Sequence, residues 1–228
     1  MRNGENDFTG LLLPGLDGPI QAEETVTIRL DTLLPQDAET GAVTPEAFAV
    51  YLNTMLAMVS RAQQPLSVIA LAADSSPVTA FPGQADFGFI GRAMARCVRQ
   101  ETRPQDVVGI VGGTSANEPP RFVIACPLMS EAQAAALGER MREAMTANAS
   151  EWESPWLTLS VGVAALTLDT PNSDALLNRA QSALLRAQRG GGQRVWRHSE
   201  TAQRLEYPLD FGSLSNGPGD ETDFLSGV

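Results

Sequence analysis

The stretch Leu66-Ser-Val-Ile-Ala-Leu-Ala72, closed in front by Pro65, constrains this chain more than any other feature. A short, nearly continuous apolar run of this kind suits a central strand buried on both faces, so helices must pack above and below it. The flanking segments supply them. Thr44 followed by Pro45 and Glu46 reads as an N-cap with proline at the first helical position, and Phe48, Leu52, Met55, Leu56 and Val59 follow at helical spacing. Pro65 then ends that helix. Ile90, Ala93, Met94, Cys97 and Val98 trace a second helix. Residues 107–111 and 122–126 are predicted strands of an antiparallel hairpin joined by a turn-rich stretch. A helix over 132–145, a strand over 157–165 and a helix over 174–188 follow, and Gly190, Gly191 and Gly192 break the last helix before a final strand at 194–196. The expected fold class is α+β, a central, mostly antiparallel sheet of about five strands flanked by helices.

Composition narrows function mainly by exclusion. A formal net charge of −11, with no basic stripe carrying interleaved aromatics, argues against nucleic acid or an anionic membrane surface as partner. No apolar run is long enough for a membrane-inserted helix, and the first residues lack a basic-then-apolar signal pattern, so a cytoplasmic location is expected. All 16 basic residues are arginine, which removes lysine chemistry, and the one histidine, His198, gives little support to acid–base catalysis or a multi-histidine metal site. Cys97 and Cys126 fall in a helical and a strand pattern and are expected to be buried, reduced thiols. No metal site and no cofactor is predicted. Residues 1–36 read as a partly mobile extension, 37–198 as the domain, and 199–228 as an acidic, disordered tail.

Five blocks, in order, resemble the GGDEF domain of the diguanylate cyclase family. Residues 37–48 read D-A-E-T-G-A-V-T-P-E-A-F, where Asp37, Thr40, Gly41 and Phe48 match the family's D-x-L-T-G-L-x-N-R-R-x-F box. Gly112 and Gly113 follow a strand, as the first two letters of the G-G-D-E-F signature do, and Phe122-Val-Ile-Ala-Cys-Pro127 resembles the strand after it. Thr158-Leu-Ser-Val-Gly-Val-Ala164 is similar to T-x-S-I-G-V-A. Residues 180–190 are similar to the family's A-D-x-A-L-Y-x-A-K-x-x-G helix. The resemblance covers residues 37–197 and implies the nucleotidyl-cyclase-like sheet already expected.

It also implies what is missing. The family joins two GTP molecules with divalent metal held by carboxylates and with cations on the triphosphate. The metal-binding aspartate falls at Ala72, the acidic pair of the signature at Thr114 and Ser115, the triphosphate-binding lysine at Gln188, and the arginine of the G-R-N-R-V ending at Gly192. Guanine-contacting polar residues should lie where Pro77, Ala80, Phe81 and Pro82 stand. Neither alanine nor a neutral hydroxyl replaces a carboxylate on a hard cation. Asp74, Asp86 and Glu118 are read as solvated loop carboxylates instead of relocated ligands. The resemblance therefore implies a degenerate member that is not an enzyme.

One site is kept. Many family members bind their product, cyclic di-GMP, at an R-x-x-D motif five residues ahead of the signature glycines, and Arg103-Pro-Gln-Asp106 stands in that register before Gly112 and Gly113. Composition alone gives such a motif at one prescribed position a chance of about 0.4%, so the register carries the weight. An arginine fork suits guanine O6 and N7, and a carboxylate suits its N1 and N2 hydrogens. Arg140 falls where a further family arginine holds the dinucleotide, with Arg142 close by. Two readings follow: an inactive cyclic di-GMP receptor, acting through a protein partner or a ligand-linked dimer, or a nucleotide-independent scaffold in which Arg103 and Asp106 persist as a helix-end ion pair.

Overall fold

The structure is a computed structural model that describes residues 28–74, 87–112, 120–148 and 157–200. A 3-10 turn, Leu30–Leu33, precedes α1 (Pro45–Ala62), β1 (Leu66–Ala73), α2 (Phe87–Glu101), β2 (Val107–Ile110), β3 (Arg121–Pro127), α3 (Glu131–Asn148), β4 (Leu159–Ala165), α4 (Ser173–Arg189) and β5 (Val195–Arg197). The sheet order is β2-β3-β1-β4-β5. β1 runs antiparallel to β3 and β4, β2 antiparallel to β3, and β5 parallel to β4. The apolar run after Pro65 is the middle strand, β1, and every residue of it is buried.

Alternation along that strand divides the core into two. Ile69 and Leu71 pack with Met94, Val98, Leu137 and Met141 beneath α2 and α3. Val68, Ala70 and Ala72 pack with Phe48, Leu52, Ala180 and Leu184 beneath α1 and α4. Thr44 caps α1 by accepting from the Ala47 N–H, and the helix stops at Gln63, which adopts a left-handed φ of 50° two residues ahead of Pro65. Gly162 on β4 is required by contact: a Cβ there would lie 2.1 Å from the Leu184 nitrogen and 2.3 Å from the Ala180 oxygen. α4 thus sits directly on the β4 backbone. Cys97 and Cys126 are both buried and free, and burial pushes their thiols up, that of Cys97 to about 11.

Residues 28–36 are more firmly built in than composition suggests. Arg29 donates to both oxygens of the fully buried Asp31, to the Thr102 hydroxyl at 2.9 Å, and to the carbonyls of Arg99 and Thr102. The Leu30 N–H donates to the Pro104 carbonyl at 2.9 Å. The acidic stretch beyond residue 200 and the first 27 residues lie outside the described residues.

Candidate functional site

The two places singled out by the sequence lie at separate points of the fold. The first is the end of the sheet where β1 finishes. In register, Ala72 pairs with Arg121 on β3 and with Ser160 on β4. Arg121 gathers the other expected positions around it. It shares a cleft of about 70 Å³ with Ala70, Val111, Gln181 and Gln188, and its guanidinium lies 2.9 Å from where a Cβ on Gly112 would stand. Ala72, Gly112 and Gln188 are therefore brought to one neighbourhood. Gly113, Thr114, Ser115 and Glu118 lie outside the described residues, as do Asp86, Pro77, Ala80, Phe81 and Pro82.

Asp74 is the carboxylate that the described residues place at this end, and it is not the solvated loop group expected. Its Oδ2 accepts from the Thr158 hydroxyl and from the Gln193 N–H, each at 2.8 Å, and its Oδ1 accepts from the Ser160 hydroxyl. Gly192, at φ +72°, has space for no side chain because the Asp74 carboxylate lies 2.9 Å from its Cβ position. Asp74 thus ties β1 and β4 to the glycine turn after α4. Periodicity gives no sign of such a role, since the partners are 84 to 119 residues away. A hard divalent cation needs several oxygen ligands, and one carboxylate already accepting three hydrogen bonds does not fit one. Among the described residues, no group of three or more His, Cys, Asp or Glu is placed to hold a metal ion.

The second place is the turn after α2. Asp106 is fully buried, its Oδ2 accepts from the Arg103 N–H at 2.9 Å, and the Asp106 N–H donates back to the Arg103 carbonyl at 3.1 Å. This reciprocal pair closes the turn Arg103-Pro104-Gln105-Asp106, which the Leu30 N–H clamps from outside through the Pro104 carbonyl. The other carboxylate oxygen of Asp106 is buried without a partner. Burial pushes its carboxyl above the usual range, opposed by the Arg103 N–H and by the charges of Arg103 and Arg29. Tyr51, whose hydroxyl is likewise buried and unpartnered, is pushed to about 12 by burial and by the nearby Asp106 charge. The alternative of a helix-end ion pair is not formed among the described residues: Arg103 is exposed, and its contact with Asp106 runs through the backbone N–H.

Arg140, on α3, reaches the same corner. Its Nε donates to Glu101 Oε2 and its Nη2 to the Glu101 carbonyl, both at 3.1 Å, so it braces the end of α2 two residues from Arg103. Arg142 does not join them, being held by Glu139 at 2.7 Å and by Glu143 on its own helix. The corner consists of two exposed guanidinium groups over an inward-facing carboxylate. Arg29, which sequence reasoning passed over, braces the end of α2 through the Arg99 and Thr102 carbonyls. A cationic, hydrogen-bonding ledge of this kind can grip a planar base edge or a phosphate.

Residues 88–194 match the family model described as diguanylate cyclase, GGDEF domain. Among solved structures, the GGDEF domain of DgcB from Caulobacter crescentus, determined in complex with c-di-GMP, is 20% identical, covers 72% of this chain and 95% of that one, and superposes with a TM-score of 0.62. The GGDEF domain of YfiN (TpbB) from Pseudomonas aeruginosa is 21% identical over 75% of this chain and 98% of its own, with a TM-score of 0.64. SiaD from the same organism, determined in complex with its activator SiaC, is 24% identical over 71% of this chain and 61% of its own, with a TM-score of 0.62. No curated protein matches the sequence. At these identities the likeness establishes the fold, which is GGDEF-like.

Proposed function

We propose that this chain is a GGDEF-type domain that has lost the chemistry of dinucleotide synthesis and serves as a cyclic di-GMP receptor, binding the dinucleotide at the corner formed by Arg103, Asp106 and Arg140. The observation that carries the reading is that Arg140 is held to Glu101 at the end of α2, two residues from the exposed Arg103 of the R-x-x-D turn. Arg103 offers an exposed fork to guanine, Arg140 releases Glu101 to take a phosphate or a second base, and the Asp106 carboxylate turns outward to the guanine N1 and N2 hydrogens. Binding therefore includes a rearrangement of the turn. The DgcB domain, in complex with the same dinucleotide, lends the reading a precedent on this fold.

Loss of synthesis is supported by the composition of the β1 end: Ala72 instead of a carboxylate, Gln188 instead of a cation, and Asp74 committed to Thr158, Ser160 and Gln193. The neighbouring cleft of about 70 Å³ is far below the roughly 300–1,000 Å³ of small-molecule sites. The test has two arms. Purified protein with GTP and magnesium or manganese should form no cyclic di-GMP, and titration with cyclic di-GMP should give a saturable heat; product formation, or no heat at micromolar concentrations, overturns the corresponding half.

A nucleotide-independent scaffold is the second reading, favoured by one observation. Leu34, Pro35, Ala47, Val50 and Tyr51 line an apolar groove of about 530 Å³ along α1, and Val50 is 70% exposed. SiaD, on the same fold, is bound to a protein activator. A protein partner is compatible with either reading.

A further inference from the structure

α1 turns outward a face unlike the solvent side of an ordinary surface helix. Phe48, Leu52 and Val59 are buried beneath it, and the opposite side would normally carry charge. Residues 47–60 hold no charged side chain, and the charges of the helix stand at its ends, Glu46 in the first turn and Arg61 in the last. Val50 is 70% exposed and Met58 60%, with Thr54 and Ala57 exposed between them. Steps of three and four residues put Glu46, Val50, Thr54, Ala57, Met58 and Arg61 on one stripe of the helix surface. Thr54 donates its hydroxyl to the Val50 carbonyl at 2.9 Å, so the polar group in the middle of the stripe is satisfied by the helix itself.

The two halves of the stripe differ in shape. The groove of about 530 Å³ lies along the first half, between Ala47, Val50, Tyr51 and Thr54 of α1 and the preceding Leu34 and Pro35. The second half carries the exposed Met58. A helix with a groove at one end and a knob at the other is complementary to a copy of itself turned end for end. The charges obey the same rule. Positions 46 and 61 are equidistant from the midpoint between Asn53 and Thr54, so a two-fold axis there lays Glu46 against the second copy's Arg61, and Arg61 against the second copy's Glu46. Val50 then meets the smaller Ala57, and Met58 comes level with the groove between Ala47 and Tyr51. A parallel arrangement would set like charge on like charge at both ends. Among the described residues neither Glu46 nor Arg61 belongs to an ion pair, so both are available.

We propose that α1 is the interface of a symmetric, antiparallel homodimer that forms without nucleotide. The occupant of the groove is thus a second copy of this chain, whether or not the Arg103 corner binds a dinucleotide. Self-complementarity in charge and in shape about one midpoint is what a two-fold interface requires and what an unrelated partner would not. Size sets the strength. A helix of 18 residues is about 27 Å long, and one face of it falls short of the roughly 800 Å² per partner of a standard interface. The dimer is therefore of the weak, concentration-dependent class. Each substitution acts at two places, because the axis repeats every contact.

The test is sedimentation equilibrium of the full chain, without nucleotide and at low ionic strength, from about 5 to 500 µM, the range in which a small interface associates. A monomer–dimer equilibrium is expected. Met58→Glu places a charge in the second copy's groove and should leave the chain monomeric throughout. Glu46→Arg and Arg61→Glu each turn two attractions into two repulsions and should weaken association about tenfold. The double variant restores both pairs with their signs exchanged and should recover most of the loss, which neither a parallel pairing nor a purely structural role for these residues would give. Ala147→Glu, adding the same charge on the exposed side of α3 across the sheet, should change nothing. All of these positions are exposed, and far-ultraviolet circular dichroism establishes that each variant is folded. A wild type that stays monomeric, dimerisation retained in Met58→Glu, single swaps without effect, a double variant no better than either single one, or equal loss in Ala147→Glu overturns the proposal.

Discussion

Replacing Asp106 by asparagine should make the fold more stable and the proposed cyclic di-GMP binding weaker, a separation that follows from where the carboxylate sits. The side chain is fully buried, one oxygen accepts from the Arg103 N–H at 2.9 Å, and the other has no partner. Burial raises its pKa in the folded state, so folding favours the protonated form. The contribution of this group to stability is therefore fully present below its unfolded pKa, about 3.9, and is lost as pH rises through the higher folded value. Above that folded value the buried, ionised carboxylate is a standing cost. Asparagine keeps the oxygen for Arg103 and removes the charge from the unsatisfied position. An unpaired buried polar group costs about 1–3 kcal/mol and more when charged, so relief of about 1 kcal/mol is expected, a rise in Tm of about 2–4 °C. Thermal unfolding of wild type and Asp106→Asn across pH 4 to 8 isolates the group, since the variant lacks it. The stability difference should grow in the variant's favour as pH rises. A destabilised variant at pH 7.5, or a difference that does not change with pH, refutes the reasoning. In the same variant, loss of the charge-assisted bonds to guanine should weaken cyclic di-GMP binding about tenfold or more.

Three further outcomes are expected. Gly162→Ala drives a Cβ into the Leu184 and Ala180 backbone, which cannot rotate away, so chemical denaturation should show a loss of 3 kcal/mol or more, on the order of the worst overpacked cores. Arg29→Ala leaves Asp31 buried and unpaired and removes the donors to Thr102; it should cost about 2 kcal/mol after allowance for its partial exposure, and should speed amide exchange at Leu30 and Asp106. Ala72→Asp alone should not confer GTP turnover in a product assay, because Gln188, where the family resemblance places the triphosphate-binding lysine, carries no charge.

Elements were legible wherever one period dominated. The apolar run 66–72 suits a two-sided central strand, and the cap and spacing of α1 left one helical face to bury, so helices and sheet appear where periodicity puts them. What stayed hidden rests on polar contacts between distant residues. Nothing in the local pattern around Asp74 foretells Thr158, Ser160 and Gln193 as its partners, and nothing around Arg29 foretells the ends of α2. Asp106 is the same case. Its register marks the motif, but its inward turn depends on the Arg103 backbone and on packing beside Tyr51.

The central claim, that the corner at the end of α2 recognises cyclic di-GMP through guanine, is tested most directly by calorimetric titration of wild type and Arg103→Ala with the dinucleotide. A bidentate arginine–guanine contact is worth about 1–3 kcal/mol, so the variant should bind about tenfold to a hundredfold more weakly, and Arg103→Lys, lacking the planar fork, should recover little of the loss. Equal affinity in wild type and Arg103→Ala contradicts the claim.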